Sequence, residues 1–178
     1  MTANEYTQMR AFARQDGFFL GIMWCVAFAC FVYSVDQPAL SILYMILIVA
    51  TPIVLLYRMK SYRNNVIAGR MSYLRAFAFL LIMTSCASLI LTIGVYAYFR
   101  FLDGGRFMTL MTESISNADV RKSFAEAGID PSTLDMQLSA LAQARPIDMA
   151  FSIFSNTLVL SAILDAILAL FGKSKTSK

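Results

Sequence analysis

Asp165 is the single charge in "FSIFSNTLVLSAILDAILALF", residues 151–171. A carboxylate is costly in hydrocarbon and normally turns inward to a partner. It stands six residues before Phe171, about 9 Å in at 1.5 Å per residue. The expected partner is Arg75, at the mouth of another apolar run, with Arg14 or Arg58 next in line. Long cationic side chains can reach inward or snorkel outward. A pair of this kind holds helices together, and one acid alone does not make a transport pathway. Asn156 offers a second polar point deeper in the same run.

The second candidate is cationic. "VLLYRMKSYRNNVIAGRMSYLRAF", residues 54–77, carries Arg58, Lys60, Arg63, Arg70 and Arg75 and no acid. Tyr57, Tyr62 and Tyr73 interleave with the cations, and aromatic residues favour the headgroup level. Arg58, Lys60, Arg63 and Arg70 are expected to contact anionic lipid headgroups or an acidic partner. Headgroup attraction gives about 1 kcal/mol per cation near the surface. Five cations on a membrane loop form no groove-reading module, so nucleic acid is not an expected partner.

Other chemistries lack their residues. There is no histidine, which removes imidazole ligands, triads and shuttles. No phosphate loop and no cysteine pair at zinc spacing occurs. Asp103, Glu113 and Asp119 are scattered acids with no basis for a catalytic pair. Cys25, Cys30 and Cys86 fall inside apolar runs and read as small packing residues, not a disulfide framework. The chain is therefore expected to be no enzyme, with no metal or cofactor.

These residues must be positioned by membrane helices. The 178 residues are 58% hydrophobic and 15% charged, with mean hydropathy +0.64. Soluble domains run nearer half apolar and a quarter charged. Four runs, 17–35, 39–57, 76–99 and 149–171, approach the roughly 20 residues that cross a bilayer. "AFAC" at 27–30 resembles a cleavage site, but the run continues to Val35 and reads as an uncleaved span. The fold class expected is all-α: one integral membrane domain over 1–178, a four-helix transmembrane bundle with a short external cap of amphipathic helices.

Loop charge sets the orientation. Arg10 and Arg14 precede the first span, "SVDQP" holds only Asp36, and the 58–75 connector is wholly basic. Residues 100–148 carry five cations against seven acids, and Lys173, Lys175 and Lys178 end the chain. Basic loops stay cytoplasmic, so both termini and the 58–75 connector are expected inside.

Within 100–148, "SNAD" at 116–119 reads as a capping box using Ser116 and Asp119. The helix it opens should stop at Gly128. Asp130 and Pro131 should start another, ended by Pro146, with Leu134, Leu138 and Leu141 on one face. Gly104–Gly105 marks a turn. Among the spans, Gly17, Gly21 and Cys25 give one close-packing face. Thr84, Ser88 and Thr92 give another, and Ala162, Ala166 and Ala169 a third. Intramolecular packing is the expected use. Pro52 should kink the second span.

The layout, with "AGRMSYLRAF" at 68–77, "YFRFLDGG" at 98–105, the acidic helical segment and the lysine tail, resembles a family of small four-span inner-membrane proteins. That family is common in Bacteroidota and has no assigned function. The resemblance implies a bacterial inner-membrane location. It also implies an accessory role beside a membrane glycosyltransferase, in envelope glycan or lipid-linked sugar metabolism. Asp165 departs from the family's final span, so its role cannot be carried over. The first functional expectation is a non-catalytic accessory or scaffold subunit. The alternative is a small lipid or solute transporter working as an oligomer, which needs polar residues converging inside the membrane.

Overall fold

A computed structural model describes residues 3–67, 69 and 71–172. Among them the chain is all-α: α1 (Ala3–Tyr33), α2 (Ala39–Asn65), α3 (Tyr73–Ala97), a π-helical turn Tyr98–Leu102, α4 (Arg106–Ser116), α5 (Ala118–Glu126), α6 (Pro131–Gln143) and α7 (Pro146–Gly172). Four helices are long and apolar enough to cross a membrane: α1, α2, α3 with its π turn, and α7. Two compact units result. One joins the chain up to Gly94 with that from Ser152, and the other is Val95–Phe151.

The helices outrun the apolar runs. α1 begins fourteen residues before Gly17 because its polar start keeps one inward stripe. Met9, Ala13, Asp16, Leu20, Trp24 and Ala27 are all buried along it, at intervals of three and four. α2 carries Arg58, Lys60 and Arg63 on its last turns to Asn65. The basic connector expected at 58–75 thus includes the end of α2 and the start of α3. Charge marks where a helix leaves hydrocarbon, not where it stops, and Arg and Lys are good helix formers. α7 starts at Pro146, where its missing N–H is unneeded; that proline opens the last span.

Side-chain pairs fix the register of the first unit. α1 and α2 run antiparallel. The Phe12 and Tyr62 rings lie 5.9 Å apart, Trp24 Nε1 donates to Thr51 Oγ1 at 3.1 Å, and Phe31 faces Tyr44 at 5.4 Å. α1 and α3 run parallel and meet on the glycine face. A methyl on Gly17 would come 2.5 Å from the Met83 carbonyl oxygen, one on Gly21 2.8 Å from Ile90, and one on Gly94 2.9 Å from Cys25 Sγ. The Gly17–Gly21–Cys25 face is therefore intramolecular, with Cys25 donating weakly to the Ile90 carbonyl at 3.7 Å. All three cysteines are free thiols.

α7 closes this unit against α3 and α2. Tyr73 O–H donates to the Ala166 carbonyl at 3.2 Å, and Arg63 Nη1 donates to the Gly172 carbonyl at 3.3 Å. The latter is a cation at a helix C-terminus, where the dipole favours it. The buried stripe of α7 is Ser161, Asp165, Leu168 and Ala169, with Ala162 and Ala166 only half-buried at its flank. α2 runs through Pro52 as continuous helix.

In the second unit, Arg121 ties three helices together. Its Nε donates to the Ile115 carbonyl of α4 at 3.1 Å, and its Nη2 reaches Asp135 of α6 at 2.7 Å. The cap of α5 is Asn117, which accepts from the Asp119 N–H at 2.9 Å. The expected Ser116 instead ends α4, because the chain turns one residue later. Gly128, at φ +81°, closes α5 as expected. Ile129 N–H reaches the Phe124 carbonyl and Gly128 N–H that of Ala125, both at 3.0 Å, a complete Schellman end. Asp130 caps α6 through the Ser132 N–H at 3.0 Å.

Asp103, expected as a scattered acid, is buried. It accepts from Tyr98 O–H at 3.0 Å, Gly105 N–H at 3.1 Å and Phe107 N–H at 2.9 Å. These bonds fasten the π turn to the positive-φ pair Gly104–Gly105 and the start of α4. The "YFRFLDGG" stretch is thus a built corner.

Candidate functional site

The site is assembled from one polar position on each span. Asp16, on the inner stripe of α1, pairs with Arg58 of α2. Its side chain is 4% exposed, whereas that of Arg58 is 40% exposed. Next in sequence, Gly17 abuts Met83 of α3. The following residue, Thr84, contacts Asp165 Oδ2 of α7 at 2.7 Å. Register therefore places Asp16, Arg58, Thr84 and Asp165 in one transverse layer of the bundle.

On one side of this layer the packing is aromatic. Tyr62 stacks on Phe79 with centroids 4.7 Å apart, and its buried hydroxyl has no partner among the described residues. Beyond that, Arg75 Nη1 approaches Glu5 at 3.8 Å. On the other side, one turn from Asp165 and Thr84, lie buried Ser161 and Ser88. Past them opens a cavity of about 330 Å³. Its walls include Trp24, Phe28, Tyr44, Thr51, Leu91 and Ser161.

The expected pair is not the one formed. Asp165 meets Thr84, Arg75 meets Glu5, and Arg58 meets Asp16. Depth explains the correction. Gly172 packs against Ala76, so Arg75 is level with the end of α7. Thr84 lies nine residues further along α3, about 13 Å at 1.5 Å per residue. Asn156 does not join either. It is exposed, since nine residues from Asp165 is two and a half turns and hence the opposite face.

Of the four residues expected to dock headgroups, Arg58 and Arg63 are engaged within the bundle. Lys60 is exposed, and Arg70 lies outside the described residues, as does the lysine tail. The residue that sequence reasoning missed is Asp16. Its signal was available: it falls in step with Met9, Ala13 and Leu20, so a helix begun before Gly17 turns it inward.

Comparison with known proteins gives a family for this architecture. A family model described as "Protein of unknown function (DUF4199)" matches residues 15–174. The chain belongs to that family. The matched stretch runs from just before Asp16 to just past Gly172 and so holds all four residues of the polar layer. No curated protein and no solved structure matches the chain.

Proposed function

We propose that this small multi-pass membrane protein is non-catalytic and holds the apolar tail of an amphiphile, such as a lipid acyl chain, in the side of its bundle. The observation that supports this is the cavity beside the polar layer. Its walls are mostly aromatic and aliphatic, with Thr51, Thr157 and Ser161 as sparse polar points. That is the usual balance of a ligand pocket. At roughly 30 Å³ for a water-sized volume, 330 Å³ admits on the order of ten such volumes, enough for a length of chain and too little for a headgroup with its sugars. Polar groups converging inside the membrane are what a carrier requires and a bare scaffold does not. A small lipid or solute carrier is therefore preferred to a purely scaffolding subunit.

Exposed Lys60 and Tyr57, one turn apart on the last turns of α2, support a narrower accessory role, contact with anionic headgroups at the cytoplasmic face of a bacterial inner membrane. A membrane glycosyltransferase as the neighbour rests on the family resemblance alone.

Trp24 is the sole tryptophan and lines the cavity, so its fluorescence reports occupancy. Brominated fatty acid titrated into the protein in mild detergent should quench it saturably. Ala27→Phe, which fills the same wall, should abolish the saturable phase. Quenching that rises linearly in both proteins would remove the reading.

A further inference from the structure

We infer that Asp165, with Thr84 as its hydrogen-bond partner, is a proton-binding site inside the membrane. Thr84 Oγ1 lies 3.1 Å from the Leu80 carbonyl oxygen and 2.7 Å from Asp165 Oδ2. A hydroxyl has one hydrogen and two lone pairs. In helices it commonly spends that hydrogen on the carbonyl four residues back. With that hydrogen on the Leu80 carbonyl, the 2.7 Å contact between Oδ2 and Oγ1 is bridged only by a hydrogen on the carboxyl, so that Asp165 donates to Thr84 and Thr84 to Leu80. Were the hydroxyl turned instead to a carboxylate, one neutral donor would face a full charge on a side chain with no exposure. Buried carboxylates without a counter-charge shed that charge by taking a proton.

Among the described residues Asp165 forms no ion pair. From α1 the group at this level is Asp16, and from α2 it is Arg58, and these two satisfy one another. Arg75 on α3 lies nine residues before Thr84 and meets Glu5 through Nη1, and Tyr62 is the next buried titratable group on α2. Two further atoms are left over at the site: among the described residues, Asp165 Oδ1 and Ser88 Oγ are buried without partners. Ser161, which lines the cavity, stands one turn from Asp165 on α7, and Ser88 stands one turn from Thr84 on α3. The proposal stands on the polar layer alone, so its failure leaves the ligand reading intact.

The test uses the purified full chain. Infrared spectra of wild type minus Asp165→Asn should contain a protonated-carboxyl C=O band at neutral pH that fades as the pH is raised. Dicyclohexylcarbodiimide, which modifies protonated carboxyls in apolar surroundings, should add its mass to the peptide holding Asp165, with the same pH dependence. Should Asp165→Asn not fold, Thr84→Val keeps the carboxyl, removes its acceptor and must move the same band. Absence of the band at neutral pH overturns the proposal, whatever the labelling. So does labelling that NaCl suppresses and KCl does not, which would assign the site to a metal cation.

Discussion

At the scale of single residues, the polar layer makes unequal demands on its members. Asp16 is almost wholly buried, while Arg58 is partly exposed and can turn to solvent. Arg58→Gln strands a buried carboxylate and should lower stability in detergent by about 3 kcal/mol. Asp16→Asn leaves a cation that can snorkel and should cost under about 1 kcal/mol. Thermal unfolding of both variants and the double mutant checks this, and equal losses for the two singles would contradict it. Asp165→Asn and Arg75→Gln, which share no partner, should add within about 0.5 kcal/mol. A coupling of several kcal/mol would restore the pair expected from sequence. Asp165 was legible because it interrupts an apolar run. Its partner was not, because a neutral threonine leaves no charge signal and only the register of α3 against α7 brings the two together.

At the scale of elements, the glycine face, the end of α5 and the start of α6 were readable, and the α5 cap and the ends of α1 and α2 were not. The Gly17–Gly21 face packs on α3 as its spacing implies. A methyl on Gly17 meets the Met83 backbone, which cannot swing aside. Gly17→Ala should therefore cost about 1–3 kcal/mol, whereas Asn156→Ala on the exposed face of α7 should stay within about 0.5 kcal/mol. Comparable losses would mean that the α1–α3 contact is not tight. The α6 cap supplies a pH test. The Ser132 N–H, and after it the Ser132 hydroxyl, hold the Asp130 carboxyl below its ordinary value. A depressed carboxylate contributes stability above its unfolded pKa and loses it as pH falls through the folded value. Circular dichroism should show helix lost below about pH 4 in wild type, with Asp130→Ala showing less of that dependence. The ends of α1 and α2 were missed because hydropathy senses the solvent around a helix, while the helix itself continues wherever one stripe can still be buried.

At the scale of the molecule, orientation follows from charge, because a bilayer lets only some loops cross. The last turns of α2 carry Arg58, Lys60 and Arg63, and α3 opens with Arg75. The 100–148 segment instead carries more acids than cations. Short basic loops are retained in the cytoplasm, and acids contribute little to that choice. One span, α3, separates the α2 end from the 100–148 segment. Cysteines replacing Ser61, near the end of α2, and Ser132, at the start of α6, should therefore label from opposite sides of the membrane. The side reached by Ser61→Cys should be cytoplasmic, with both termini on it. Neither position takes part in the bundle's ion pairs, so labelling reads topology rather than damage. Intact cells treated with an impermeant maleimide should modify Ser132→Cys and spare Ser61→Cys until the membrane is opened. Labelling of both from outside would break the four-span arrangement, and the reverse order would invert it. An inverted chain would carry Asp165 towards the external face, and its proton would then be drawn from the other compartment.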